Sequence, residues 1–449
     1  MTLPALTRLG RLAVPEQAEL TLPGGLTVIA VRRPGAALVE LRLWVPFARV
    51  APASSAVLAQ SLFSGTGERS GTGLASALQR VGGMLSAQAD PDRLLVTGSA
   101  LGTELDELLA LLAEVLAGAA YPDGEVGTAR ERFADRLRIR LRRPTQRVLM
   151  ALRERIYEGH PYATQIPRLP DVLGVHPEDL RALHARRVVP GEAFLVLVGD
   201  HDPDDALAVA ARRLGGWTGA GAGERLPRIP APVPGAALLV DSPAAVQSSL
   251  RVALPAVRRG HPDNAALQLA NLIFGGYFSS RWTQNLREDK GYTYSPSSVI
   301  EHALAGSTLV AAAEVATAVT GPALAETLRE LEKIAGEPPA EAEVEQAREY
   351  ALGSLVLGMS TQSGLTRLAG NLAGHGLRLD YLAAHADGLA AASAGDVFRA
   401  AATYLTPARA VIVLLGDAAR VAAEVGAVVP AAVRGADGHI ASENGEKRD

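Results

Sequence analysis

Arg287 and Tyr294 are of residue types that could do chemistry on a peptide. They stand seven apart in Ser280–Tyr294, SRWTQNLREDKGYTY. A guanidinium offers a rigid fork of donors to peptide carbonyls, and a phenol can donate to a developing oxyanion. The plain alternative is a solvated helix end, with Arg287 beside Glu288, Asp289 and Lys290, followed by a half-buried strand tyrosine. Metal chemistry finds no ligand set. None of the nine histidines stands at i,i+3 or i,i+4 from another, His176 and His184 being the nearest pair, and cysteine is absent.

Two further stretches carry charge or glycine without a clear chemistry. Arg136, Arg138, Arg140, Arg142 and Arg143 read first as a solvated helix face. A positive wall in a substrate chamber or at a partner interface, which would favour acidic peptides, is the functional alternative. Gly219–Gly223 neither follows a strand nor opens a helix, which excludes a phosphate loop.

The elements that position these residues belong to a globular chain. Its 449 residues allow several domains, each with its own core, and 48% hydrophobic with 20% charged residues fits a folded soluble protein. A net charge of -4 gives no global attraction to nucleic acid or anionic membrane. Lysine occurs only at Lys290, Lys333 and Lys447, so arginine supplies nearly all the positive charge. Without cysteine, disulfides and thiolate metal sites are excluded. The N-terminal stretch lacks the apolar core of a secretory signal, and no apolar run is long enough for a membrane helix. A cytoplasmic location is the expectation.

The chain repeats itself once. Asp179–Pro190 leads into Phe194–Asp200, and Asp396–Pro407 leads into Val411–Asp417, at a constant offset of 217. Ala129-Arg130-Glu131 recurs as Ala347-Arg348-Glu349, and Leu62-Phe63-Ser64-Gly65 answers Ile273-Phe274-Gly275-Gly276. Small drifts in offset indicate two copies of one domain. In the first copy, Leu20–Val31 and Ala37–Val45 read as strands of a hairpin-type pair about Pro34-Gly35. Ala53–Ser64, Leu74–Val81 and Glu104–Leu116 have helical spacing, and Leu94–Ser99 is a strand. The expected fold is α+β: two homologous half-domains, each a mixed, mainly antiparallel sheet covered by helices. The boundaries expected are 1–214 and 236–432, joined by a Gly/Pro linker over 215–235 and followed by a disordered tail over 433–449.

Several landmarks give the chain a resemblance to a known family. Ala56–Thr66, AVLAQSLFSGT, keeps Leu62-Phe63-Ser64-Gly65-Thr66, followed by Arg69-Ser70 and by Leu78-Gln79-Arg80-Val81-Gly82-Gly83. In Ser280–Tyr294 only Trp282 departs from the pattern S-R-L-x-x-x-L-R-E-x-x-G-x-x-Y. From about Leu20 to Pro430 the sequence thus resembles the pitrilysin/insulinase family of zinc peptidases. That family places H-x-x-E-H just before its Leu-Phe-x-Gly-Thr run, and here the three motif positions fall on Ala56, Ala59 and Gln60. An inverted zincin site needs two imidazoles for the metal and a carboxylate to deprotonate the bound water. Two alanines and an amide supply neither. The family's third ligand falls near Asp135, which beside Arg132 and Arg136 reads as an ordinary salt-bridge partner.

The resemblance implies a clam-like chamber of which this chain forms half. It implies a non-catalytic, substrate-binding subunit of a heteromeric zinc metallopeptidase acting on peptides or unfolded polypeptides. Arg287 and Tyr294 would act in trans at the zinc of a homologous partner that carries the intact motif, with Ser279 and Asn285 as further substrate-binding residues. No cofactor is expected in this chain, and the zinc belongs to the partner. His160, in Glu158–Tyr162, matches a family loop position with a structural role. Two alternatives stand beside this reading. One is a structural subunit like the core proteins of the respiratory cytochrome bc complex. The other is a homo-oligomeric peptidase with an unrecognised site.

Overall fold

A computed structural model describes residues 12–219, 224–435 and 440–441. The chain forms two compact units. The first comprises Met1–Ile139, Gln165–Leu226 and Gly353–Ala384, and the second Arg140–Thr164, Pro227–Leu352 and His385–Asp449. Each unit therefore takes one segment from the other half of the sequence.

The first sheet contains β1 (Gln17–Thr21), β2 (Thr27–Arg32), β3 (Leu38–Pro46), β4 (Met84–Ala89), β5 (Arg93–Leu101) and β6 (Phe194–Gly199), in the order β1-β2-β6-β3-β5-β4. Only β2 and β6 run parallel. The expected pairing of β2 with β3 is not made. β1 and β2 form the hairpin, turned at Pro23-Gly24-Gly25 with Gly25 at φ 94°, and β6 inserts between β2 and β3. The apolar run of β6 is buried along nearly its whole length, so it belongs at the sheet centre rather than at an edge.

The second sheet contains β7 (Ala237–Asp241), β8 (Gln247–Ala256), β9 (Ser297–Ala303), β10 (Gly306–Ala316), β11 (Val411–Gly416), β12 (Ala431–Arg434) and β13 (Ile440–Ala441). Their order is β13-β12-β7-β11-β8-β10-β9. The run β7-β11-β8-β10-β9 repeats the topology of β2-β6-β3-β5-β4, with β11 parallel to β7 and antiparallel to β8. The duplication extends to side chains. Arg130 donates to the carbonyl of Val175 at 3.1 Å, and Arg348 donates to that of Ala392 at 2.9 Å. These carbonyls stand at the same 217-residue offset, and each arginine ties its long helix to the end of a shorter one.

The segments taken from the other half supply helices that cover the sheets. In the first unit, the helix Gln362–Gly374 packs Leu365, Ala369 and Leu372 against Val31, Val196 and Val198. Gln362 fixes its start by donating to the carbonyls of Leu38 and Val198 at 2.6 and 2.7 Å. Gly370 and Gly374, one turn apart, seat the helix on Trp44; a Cβ at Gly374 would stand 2.1 Å from the indole ring. In the second unit, the helix Pro144–Ile156 packs on β8 and β11.

The linker's proline half is pinned to the second unit. His160 donates from Nε2 to the carbonyl of Pro227 at 2.9 Å, and Ile229 donates to Ala305 at 3.2 Å. Residues 220–223, in the glycine half, lie outside the described residues. So does most of the tail: within 433–449 only 433–435 and 440–441 are described, and β12 and β13 occupy 433–434 and 440–441. Among the described residues, no helix is long and apolar enough to cross a membrane.

Candidate functional site

In the second unit, Ser280 caps a short helix and accepts a hydrogen bond from the Thr283 amide. The following turn, Gln284–Asp289, is π-helical: the amide of Lys290 reaches back five residues to the carbonyl of Asn285 at 3.0 Å. Gly291, at φ 65°, then reverses the chain in a conformation that costs glycine little. The Thr293 hydroxyl donates to the Glu314 carbonyl on β10 at 2.7 Å, which fixes the backbone just before Tyr294. Single-turn π-helices recur at functional sites.

Arg287 lies on this turn. Its guanidinium lies 4.7 Å from the ring centroid of Tyr294 and 4.5 Å from that of Phe278. Its Nε forms an ion pair with the Glu288 carboxylate at 3.1 Å. Both rings are mostly exposed, Phe278 at 64% and Tyr294 at 78%. Stacking holds the guanidinium plane, each contact contributing roughly 0.5–1 kcal/mol at an exposed site. The Nη groups and the Tyr294 hydroxyl are the donors available for a ligand's carbonyl or oxyanion. Ser279 is exposed beside Phe278. The structure thus brings Arg287, Tyr294 and Ser279 to one exposed surface region and adds Phe278, which the motif spacing did not single out.

Asn285 departs from the expected substrate-facing group. It is buried, and its amide donates to Glu326 at 3.0 Å and to Glu330 at 2.8 Å, both on the helix Thr320–Gly336. Burial pushes the Glu326 carboxyl up, but the Asn285 hydrogen bond with the charges of Arg329, Lys290 and Lys333 outweighs it and leaves the pKa lowered. Asn285 therefore anchors the turn that carries Arg287. Trp282 is also structural: it is fully buried, stacked on Phe274 at 5.5 Å, and donates to Thr327 at 3.1 Å. A larger ring at this position fills the core and leaves the surface pattern intact.

In the first unit, the degenerate metal positions lie on the helix Pro52–Ser61. Ala59 is buried, Ala56 half-buried and Gln60 exposed. Arg136, from the helix Asp123–Arg142, donates to the Gln60 side-chain oxygen at 2.6 Å. Asp135 is exposed and paired with Arg138 at 2.5 Å. Residues near the third-ligand position thus approach the first-motif helix, yet a guanidinium rather than a carboxylate meets Gln60. Two methyl groups, an amide and a fixed positive charge do not fit a zinc ion. Among the described residues, no group of three or more His, Asp or Glu could hold a metal.

Comparison with known proteins adds three observations. The family model described as insulinase (peptidase family M16) matches residues 55–168, and that described as the peptidase M16 inactive domain matches residues 174–350. Among curated proteins, an uncharacterized zinc protease of Mycobacterium tuberculosis is 26% identical over 357 residues, covering 76% of this chain and 80% of the relative. Cytochrome b-c1 complex subunit 1 of Bos taurus is 23% identical over 217 residues, covering 48% of this chain and 45% of the relative. Among solved structures, the peptidase M16 inactive domain from Pseudomonas fluorescens superposes with a TM-score of 0.82 at 22% identity, over 89% of this chain and 98% of that one. A protease from Helicobacter pylori gives 0.79 at 19% identity, over 90% and 100%.

Proposed function

Because the chain belongs to the insulinase (M16) family of peptidases, we propose that it is a non-catalytic subunit that binds peptide for a zinc-bearing homologue. In this reading a partner chain supplies zinc, the attacking water and the general base. Arg287 binds the peptide main chain, and Tyr294 donates to the oxygen of the scissile carbonyl as negative charge develops there. The share of catalysis carried by this chain is positioning and electrostatic stabilisation.

The observation that carries the reading is a contrast within one chain. Arg287 is half-buried with its guanidinium over the exposed ring of Tyr294, while the three metal-motif positions hold Ala56, Ala59 and Gln60 with Arg136 bonded to the last. A core-protein-like structural role is the second reading, favoured by the similarity to the bovine complex subunit. A purely structural subunit has no need of an arginine held over an exposed tyrosine ring, which favours the first.

The test is reconstitution with a zinc-motif homologue from the same host. Neither this chain with added zinc nor the homologue alone should hydrolyse a fluorogenic peptide library at more than a small fraction of the rate of the mixture. Chelator-sensitive hydrolysis by this chain alone, or a homologue fully active without it, would overturn the proposal.

A further inference from the structure

A second feature lies in the first unit, on the sheet face that receives the helix Gln362–Gly374. The register of β3, β5 and β4 aligns Arg42, Thr97 and Ser86 in one row. Glu40, Ser99 and Met84 form the row on one side, and Trp44, Leu95 and Gln88 the row on the other. Alternation along each strand places all nine on a single face. The helix covers the β6 end of that face. Toward β4 the face opens: Ser86 and Gln88 are exposed, and Thr97 and Ser99 are half-buried.

Three arginines gather on this face: Arg42 from β3, Arg93 from β5 and Arg367 from the helix. Arg93 lies flat on Trp44, its guanidinium carbon 3.6 Å from the ring centroid. Trp44 Nε1 and the Arg42 stem lie side by side beneath Gly370. The acids facing them are Asp90 and Glu40, and β4 contributes no charged residue. Asp90 is committed to Arg93 at 2.9 Å. Burial pushes the Glu40 carboxyl up, against the Ser363 hydrogen bond and the charge of Arg42. Arg42 is held below the ordinary arginine range by burial and by the neighbouring charges of Arg367 and Arg93.

Donors therefore outnumber acceptors on this face. Among the described residues, neither Arg42 nor Arg367 forms an ion pair. Arg93 Nη1 is buried without a hydrogen-bond partner, and so is Nε1 of Trp44, which is only 6% exposed. A group that only accepts hydrogen bonds and carries negative charge would pair with the guanidiniums and relieve the repulsion between them. Planar two-oxygen geometry suits guanidinium forks best.

We infer that the Arg42–Arg93–Arg367 face is a carboxylate-binding subsite for peptides. It is separate from the Arg287–Tyr294 stack and does not rest on the proposed role of that stack. The bound carboxylate comes from an acidic side chain or from a peptide C-terminus, and three probes distinguish these sources. The first is an acetylated, amidated pentapeptide with one central glutamate. The second is its glutamine counterpart, and the third is the glutamine peptide with a free C-terminal carboxylate.

Titration calorimetry of the full chain should show saturable binding of the first or the third probe, and binding of the second weaker by at least about tenfold. Arg42→Gln and Arg367→Gln should each weaken the carboxylate probe by a similar factor. Arg367 is exposed, so its variant keeps the test valid even where Arg42→Gln perturbs folding. Raising the salt concentration should lower the affinity. Equal binding of all three probes, no binding of either carboxylate probe, or wild-type affinity in Arg367→Gln would overturn the inference.

Discussion

The Arg136 guanidinium donates a 2.6 Å hydrogen bond to the side-chain oxygen of Gln60. A positive charge thus stands beside the position where the family motif places its second histidine. Two unit charges about 4 Å apart interact by roughly 4 kcal/mol at the effective dielectric near a protein surface, and a divalent ion is affected more. Arg136 is exposed, so only part of this applies.

Restoring the ligands alone should therefore give a poor zinc site. The variant Ala56→His, Ala59→Glu, Gln60→His, Asp135→Glu is expected to bind zinc with little hydrolysis, because a site also needs the groups that orient its ligands. Adding Arg136→Ala should tighten zinc binding by at least about tenfold. Competition with a chromogenic chelator measures both affinities. Equal affinities would show that Arg136 swings clear of the site.

Helix seating in the first unit gives a stability prediction. Gly374→Ala would place a Cβ 2.1 Å from the Trp44 ring, and overpacking of this kind costs about 1–3 kcal/mol. Gly353→Ala, on the exposed side of the helix Glu341–Ser360, meets nothing within 4 Å. It should stabilise by about 0.5–1 kcal/mol through helix propensity. Urea midpoints of the two variants should move in opposite directions. A neutral Gly374→Ala would mean that the helix is not held at Trp44.

Acid should weaken the second unit through His385. Burial, reinforced by the charge of Arg259, lowers its pKa to about 4, and its Nε2 bonds to Gln268 at 2.7 Å. A folded pKa below the unfolded value means that the unfolded chain binds the proton first as the pH falls. The native state then keeps its full stability above about pH 6.5 and loses it progressively down to about pH 4. At pH 5 the loss from this residue is about 2 kcal/mol. His385→Gln should flatten the pH dependence of the urea midpoint between pH 7 and 5, whatever it does to stability at neutral pH. An unchanged slope would remove His385 as the cause.

The repeat was readable because it is local and exact in register: Phe194–Asp200 and Val411–Asp417 became β6 and β11 with matching neighbours. The β2–β3 hairpin was misread because the strand between them comes from far along the chain, and adjacency in sequence says nothing of an insertion. The exchange of covering helices was equally hidden. The apolar stripe of Gln362–Gly374 marks a buried face without saying which sheet buries it. At the candidate site, the resemblance of Ser280–Tyr294 to the family motif pointed to Arg287 and Tyr294 as candidates. It could not show that Asn285 turns inward, since an amide in a helical run looks the same whether it meets solvent or a pair of glutamates. Phe278, adjacent to the motif, was an available signal that the motif pattern did not include.

The central claim is tested most directly by steady-state kinetics of the reconstituted pair with Tyr294→Phe and Arg287→Ala. Loss of one oxyanion donor typically costs about 10²–10³ in rate, so Tyr294→Phe should lower kcat mainly. Arg287→Ala should lower kcat and also raise KM, because main-chain binding is lost before the transition state. Zinc content and the elution volume of the complex should match the wild type in both. Near-normal kcat and KM for both variants, in a complex that assembles normally, would contradict the account and leave a structural subunit.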